Sequence, residues 1–159
     1  MTNSEMRLPT ERVELPSKGL IYSADSPLRE GFVEMKYMTA KEEDILTNMN
    51  LIEDGTVLDR LLESLTMKKI DIKDLCAGDK NALFVASRIL GYGAKYKFQY
   101  GGEENEVDLS KLDNKFINPE LLNAQGHFNF QLPHSQVNIT FKLLNDRDTK
   151  NINDEVESM

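Results

Sequence analysis

The stretch Asp79–Gly93, D-K-N-A-L-F-V-A-S-R-I-L-G-Y-G, constrains this chain more than any other. Asp79 suits a helix N-cap, because its carboxylate accepts from the orphan N–H groups of a first turn. Gly91 suits the end of that helix, where a left-handed residue without Cβ is favoured. Between them Ala82, Leu83, Val85, Ala86, Ile89 and Leu90 share one face, sweeping about 160° at 3.6 residues per turn. A helix with so wide an apolar face is packed by several elements at once and belongs at the centre of a fold. The polar face carries Lys80, Asn81, Ser87 and Arg88, with Phe84 in its middle. Phe84 breaks the pattern. It is expected beneath a second layer, with Arg88 at the rim, or in contact with a partner. Phe84 and Arg88 are therefore the candidate partner-contact residues.

A chain of 159 residues makes one domain with room for a real core. No apolar run approaches the eighteen or so residues of a membrane span. The amino terminus, M-T-N-S-E-M-R-L-P, has no apolar h-region, so no secretory signal is expected. The one cysteine, Cys76, forms no internal disulfide, and a reducing cytoplasm is the default. A net charge of −8 opposes a nucleic-acid footprint, which needs clustered Lys and Arg. Such an acidic surplus serves solubility or docks a basic partner.

In chain order, residues 1–12 are polar and unpatterned and read as a flexible arm. Residues 13–22 read as a short edge strand broken at Pro16 and Gly19, and residues 22–31 as a loop. Phe32–Met38 alternates as a half-buried strand, with Val33, Met35 and Tyr37 on one side. It runs into a helix with a capping box at Thr39 and Glu42, a solvated first turn at Glu42–Asp44, and a buried stripe of Ile45, Leu46 and Met49. Asn50–Gly55 reads as a loop. Thr56 and Asp59 repeat the capping-box pattern ahead of a helix whose face is Val57, Leu58, Leu61, Leu62 and Leu65. Residues 70–75 read as a turn with a helical fragment whose Ile70, Ile72 and Leu75 plug a gap beside the central helix. Cys76 reads as a filler, since no histidine lies near it in sequence and His127 and His134 approach only through the fold.

Beyond the central helix, Tyr96, Phe98 and Tyr100 alternate with Lys95, Lys97 and Gln99, and Val107 and Leu109 offer a return strand. The expectation is a β-hairpin over about 94–109 with Glu103–Glu106 as an acidic tip and its aromatics packed into the core. Asn118-Pro119-Glu120 opens a single helical turn. His127 and His134 lack further ligands for a metal site. Phe128 and Phe130 alternate like a strand.

The end of the chain echoes its beginning. L-P-S-K-G at 15–19 precedes strand and helix at 32–46, and L-P-H-S-Q at 132–136 precedes V-N-I-T-F-K-L-L-N-D-R-D-T-K-N-I at 137–152. Setting Met38 against Leu144 places Val33, Met35 and Tyr37 on Ile139, Phe141 and Leu143. Thr39 then meets Asn145, and Glu42 meets Asp148. Each copy reads as turn, strand and capped helix, and the two strands are candidates to pair in one sheet.

The segments L-P-S-K-G-L-I-Y, M-K-Y-M-T-A-K-E-E-D-I-L, G-T-V-L-D-R-L-L-E-S-L and D-L-C-A-G-D-K-N-A-L-F-V-A-S-R-I-L-G-Y-G resemble the baseplate hub and hub-assembly proteins of T-even-type contractile-tailed bacteriophages. The resemblance spans most of residues 13–100 and, more faintly, F-K-L-L-N-D-R-D at 141–148. It implies a late viral protein that assembles the tail baseplate through contacts with other baseplate or tail proteins, hub subunits and the tape-measure protein among them. The implied role is either a built-in subunit or a tail-assembly chaperone absent from the mature virion. The implied location is the host cytoplasm during assembly, or the tail baseplate.

The chain has no P-loop, nucleophile elbow, H-E-x-x-H motif or glycine-rich dinucleotide turn, so no catalytic residue, cofactor or metal is assigned and a non-enzymatic interaction protein is expected. The expected fold is α+β, with a small helical layer on a mostly antiparallel sheet and a candidate duplicated strand–capped-helix unit. Its domain covers residues 13–145, with helices over about 39–91. Residues 146–159 form an acidic helix or tail.

Overall fold

The computed structural model describes residues 9–159. Residues 1–8 of the expected arm lie outside that range, but Thr10–Arg12 do not belong to an arm. They begin β1 (Thr10–Glu14), which pairs antiparallel with β2 (Phe32–Lys36), Val13 facing Val33. The turn between them contains a one-turn 3-10 helix at Pro27–Glu30, capped by Ser26, that buries Leu28. Gly19 sits there at φ 72°, and a Cβ on it would lie 2.5 Å from the Arg29 carbonyl oxygen, so the turn requires glycine.

Four helices follow: α1 (Ala40–Leu46), α2 (Met49–Glu53), α3 (Val57–Leu65) and α4 (Ala77–Tyr92). Two hairpins and a last helix complete the chain: β3 (Lys95–Tyr100) with β4 (Glu103–Asp108), β5 (Phe128–Gln131) with β6 (Asn138–Phe141), and α5 (Asp146–Glu157). The fold is α+β and every strand pairing is antiparallel. The strands form three separate two-stranded sheets. The repeat strands β2 and β6 therefore do not share a sheet, because each is paired with the strand that precedes it.

The core is built from β1, β2, α3 and α4. Leu61, Leu62 and Leu65 of α3 pack with Val33 and Met35 of β2, Leu83 of α4, and Ile70, Ile72 and Leu75 of the connecting turn. Those last three plug the gap as their spacing suggests. Ile45 and Leu46 of α1 pack on the same cluster, whereas Met49 is exposed and opens α2. The expected loop at Asn50–Gly55 is thus mostly helical, because the Asn48 side chain accepts from the N–H groups of Asn50 and Leu51 and caps a new turn.

Three capping expectations resolve differently. At α1 the box forms, with the Thr39 N–H and hydroxyl both donating to Glu42 Oε2 at 2.9 and 2.6 Å. At α3 it does not form, and Thr56 makes no side-chain cap bond. Asp59 instead meets Lys80 Nζ at 2.7 Å. At α5 the box forms reciprocally between Asn145 and Asp148.

The repeat is more complete than the strand and helix alone. Counting from each Leu-Pro turn backwards, Val13 corresponds to Phe130, and Val13 pairs Val33 as Phe130 pairs Ile139. Glu11 pairs Met35 as Phe128 pairs Phe141. Each copy also closes its strand–helix corner with one ion pair, Lys36–Glu42 at 2.7 Å and Lys142–Asp148 at 2.6 Å. The repeating unit is therefore a hairpin followed by a capped helix.

Candidate interaction surface

The central helix is anchored differently from the sequence expectation. Cys76, not Asp79, is the N-cap, and it makes no side-chain cap bond. Asp79 lies inside the first turn, fully buried, and turns its carboxylate to the Leu15–Tyr22 turn. It accepts from the Ser17 N–H at 2.9 Å, from the Ser17 hydroxyl at 2.6 Å and from the Tyr22 hydroxyl at 2.6 Å. The Tyr22 oxygen in turn accepts from the Cys76 N–H at 3.1 Å. Burial and then the Asp79 carboxylate hold the Tyr22 hydroxyl far above its ordinary range, so it stays a proton donor. This network is what the L-P-S-K-G-L-I-Y stretch builds, and it is structural.

Gly93, not Gly91, closes the helix at its carboxyl end. Gly91 is within the last turn, where a Cβ would lie 2.4 Å from Met38 Sδ, so its role is close approach. Ser87 also leaves the expected polar face. It is buried, with its hydroxyl donating to the Phe84 carbonyl at 2.8 Å. The buried line of α4 is Asp79, Leu83 and Ser87, while Val85 and Ile89 border an open groove beside β1.

Phe84 is half-buried and packs against the core, and Arg88 lies one turn further along. The Arg88 guanidinium donates to the Gly93 carbonyl at 3.1 Å, with its carbon 5.0 Å from the Tyr92 ring centre and 5.5 Å from that of Tyr96. Arg88 thus joins the end of α4 to the first aromatic of β3. From there Tyr96 stacks on Phe98 at 6.0 Å, and Tyr100 follows at 78% exposure.

The β3–β4 hairpin corrects two expectations. Gly101 and Gly102, at φ 63° and 84°, make the turn, so Glu103–Glu106 is strand rather than tip. The consequence is electrostatic: Lys95 meets Glu106 at 3.3 Å and Lys97 meets Glu104 at 3.0 Å across the strands. The aromatics, expected in the core, are exposed on this projecting ribbon. A stacking platform for single-stranded nucleic acid needs free positive charge beside its rings. Here both lysines are matched by glutamates. The surface is an aromatic strip with Arg88 at one end and with Lys95 and Lys97 paired to glutamates.

Elsewhere the chemistry is sparse. Cys76 is buried and shares a cleft of about 180 Å³ with His127, so the fold does bring a histidine near it. Burial raises the thiol's pKa above its ordinary value and the Asp79 carboxylate adds to the rise, an environment opposed to a nucleophilic thiolate. His134 stands exposed. A cleft of about 800 Å³ is bordered by Lys68, Lys69, Lys73 and Arg147, with Arg147 paired to Asp71 and Asp74. Among the described residues no group of three or more His, Cys, Asp or Glu could hold a metal ion, and no helix is long and apolar enough to cross a membrane.

Sequence reasoning placed Phe84 and Arg88 on one helix face and missed their continuation through Tyr92 and Tyr96 onto Phe98 and Tyr100. The signal was present in the Gly-Gly pair, which marks a two-residue turn and leaves β3 no partner but β4. Compared with family models, with curated proteins and with solved structures, the chain matches none.

Proposed function

We propose that this protein is a non-enzymatic assembly factor of a contractile-tailed bacteriophage, acting at the baseplate hub through protein–protein contacts. The observation that carries the contact role is the aromatic strip running from Arg88 through Tyr96 and Phe98 to Tyr100, exposed on the β3–β4 hairpin among the described residues. Uncovered apolar strips of this kind mark interaction sites on soluble proteins, and tyrosine and arginine are the residues most favoured at binding hot spots. The phage assignment is supported by the resemblance of segments covering most of residues 13–100 to hub proteins. The partners would be hub, baseplate or tape-measure proteins, and the place of action the host cytoplasm or the tail baseplate.

The test is deletion of the gene from the phage that carries it, scored by electron microscopy of tails and by mass spectrometry of purified virions. Stalled tails and peptides of this chain in wild-type virions are expected. Stalled tails with no such peptides assign the chaperone role instead, and normal tails without the gene overturn the proposal.

A further inference from the structure

The two repeat units differ in how far their apolar faces are covered, although the aligned Tyr37 and Leu143 are alike at 39% and 40% exposure. In the first, Val33 and Met35 are buried in one cluster with Leu61, Leu62, Leu65 and Leu83 of α3 and α4. Their counterparts Ile139 and Phe141 are 38% and 47% exposed, and Phe130, the counterpart of Val13, is 52% exposed. The same holds on the helix. Leu46 packs on the core, whereas its counterpart Ile152 is 45% exposed, and no residue of α5 is buried. The opposite face of β5–β6 is polar and satisfied, with the Thr140 hydroxyl donating to Asn129 Oδ1 at 2.9 Å. The unit thus has an apolar and a polar face like the first, with its apolar face left about half exposed. A lone two-stranded hairpin is marginal in water and gains stability when its apolar face is packed by a helix.

We propose that β5–β6 and α5 dock an amphipathic helical surface of another protein, one with a leucine stripe flanked by lysine or arginine. The leucine stripe follows from the repeat, since the first unit's equivalent face is filled by the leucines of α3 and α4. The basic flanks follow from charge. The ion pairs of α5 lie in its first turn, at Asp146, Arg147 and Asp148, while Asp154, Glu155 and Glu157 have no cationic partner among the described residues. A second copy fits less well, because it brings another net charge of −8 to the contact and the leucines that fill the first unit, Leu61, Leu62, Leu65 and Leu83, are already buried in it. The inference stands on the repeat and holds whether or not the phage reading does.

The test uses the full chain and two labelled helical peptides with leucines at i, i+3, i+4 and i+7, flanked by lysines in one and glutamates in the other. Fluorescence anisotropy should show the lysine peptide binding at least tenfold more tightly than the glutamate one. Ile139→Asp should weaken it tenfold or more, and Tyr100→Asp and Thr140→Asp should not. Because an aspartate can unfold so small a hairpin, amide exchange of the unsubstituted chain supplies a second measurement. The lysine peptide should protect residues 138–141 and slow exchange in α5, leaving 95–100 unchanged. Failure of both peptides to bind, binding indifferent to Ile139→Asp, or protection elsewhere overturns the proposal. So does a dimer in sedimentation that Ile139→Asp converts to monomer, which gives the face to a second copy.

Discussion

Among the described residues Asp79 and Glu42 are the two carboxylates that the fold buries completely, and each is satisfied by a different device. Asp79 ties the Leu15–Tyr22 turn to α4 through two donors from Ser17 and one from Tyr22. Asp79→Ala would leave those buried donors unpaired, at a cost on the order of 3–5 kcal/mol, readable by chemical denaturation. Tyr22→Phe should cost about 1–2 kcal/mol, since the carboxylate keeps both Ser17 donors while the Cys76 N–H loses its acceptor. Glu42, expected in a solvated turn, instead accepts from Lys36, Ser64 and Thr39. Burial acts to raise its pKa, but those bonds outweigh it and bring the carboxyl down to about 2 from 4.5. With the folded value depressed, the stabilisation is present above pH 4.5 and is lost as pH falls towards 2. The difference corresponds to about 3 kcal/mol. Stability measured from pH 6 to pH 2 should therefore fall across that window, and Glu42→Gln should flatten the fall.

At the scale of elements, the helices α1, α3 and α4 and the strand β2 are legible in the residues because each has a one-sided apolar pattern and a core to meet. Leu61, Leu62 and Leu65 could hardly be read otherwise. What was not legible is where a polar side chain goes when two partners compete for it. Asp79 and Asp59 both look like helix-start residues. One is taken by a distant turn and the other by Lys80, contacts made only by the tertiary fold. The hairpin of Tyr96, Phe98 and Tyr100 shows the converse limit. Alternation reveals that a strand has an apolar face, not whether its own chain covers it. Phe84 and Arg88 test the division along α4. Phe84→Ala removes part of a ring packed on the core and should cost about 2–3 kcal/mol by thermal or chemical unfolding. Arg88→Ala breaks an exposed carbonyl bond and two ring contacts and should cost under about 1 kcal/mol. A larger loss at Arg88 than at Phe84 would reverse the roles given to them.

Taken whole, the molecule concentrates its apolar burial in β2, α3, α4 and the turns that join the elements around them, and leaves apolar surface on the two later hairpins and α5. The repeat makes that asymmetry meaningful, because the first unit shows how the same design looks when filled. Ion pairs of Lys80 with Asp59 and Asp146, and of Arg147 with Asp71 and Asp74, fix the start of α5 to the core while leaving its outer turns uncovered. The exposed apolar faces of the later hairpins are what the proposed contact role rests on. The most direct measurement of that claim is photo-crosslinking from position 100 during infection, with a benzophenone amino acid in place of Tyr100 and the products identified by mass spectrometry. Cross-links to a baseplate or tail protein, lost when Phe98→Asp is added, are the expected result. A chain that forms no cross-link to any protein while tails assemble normally would contradict the account.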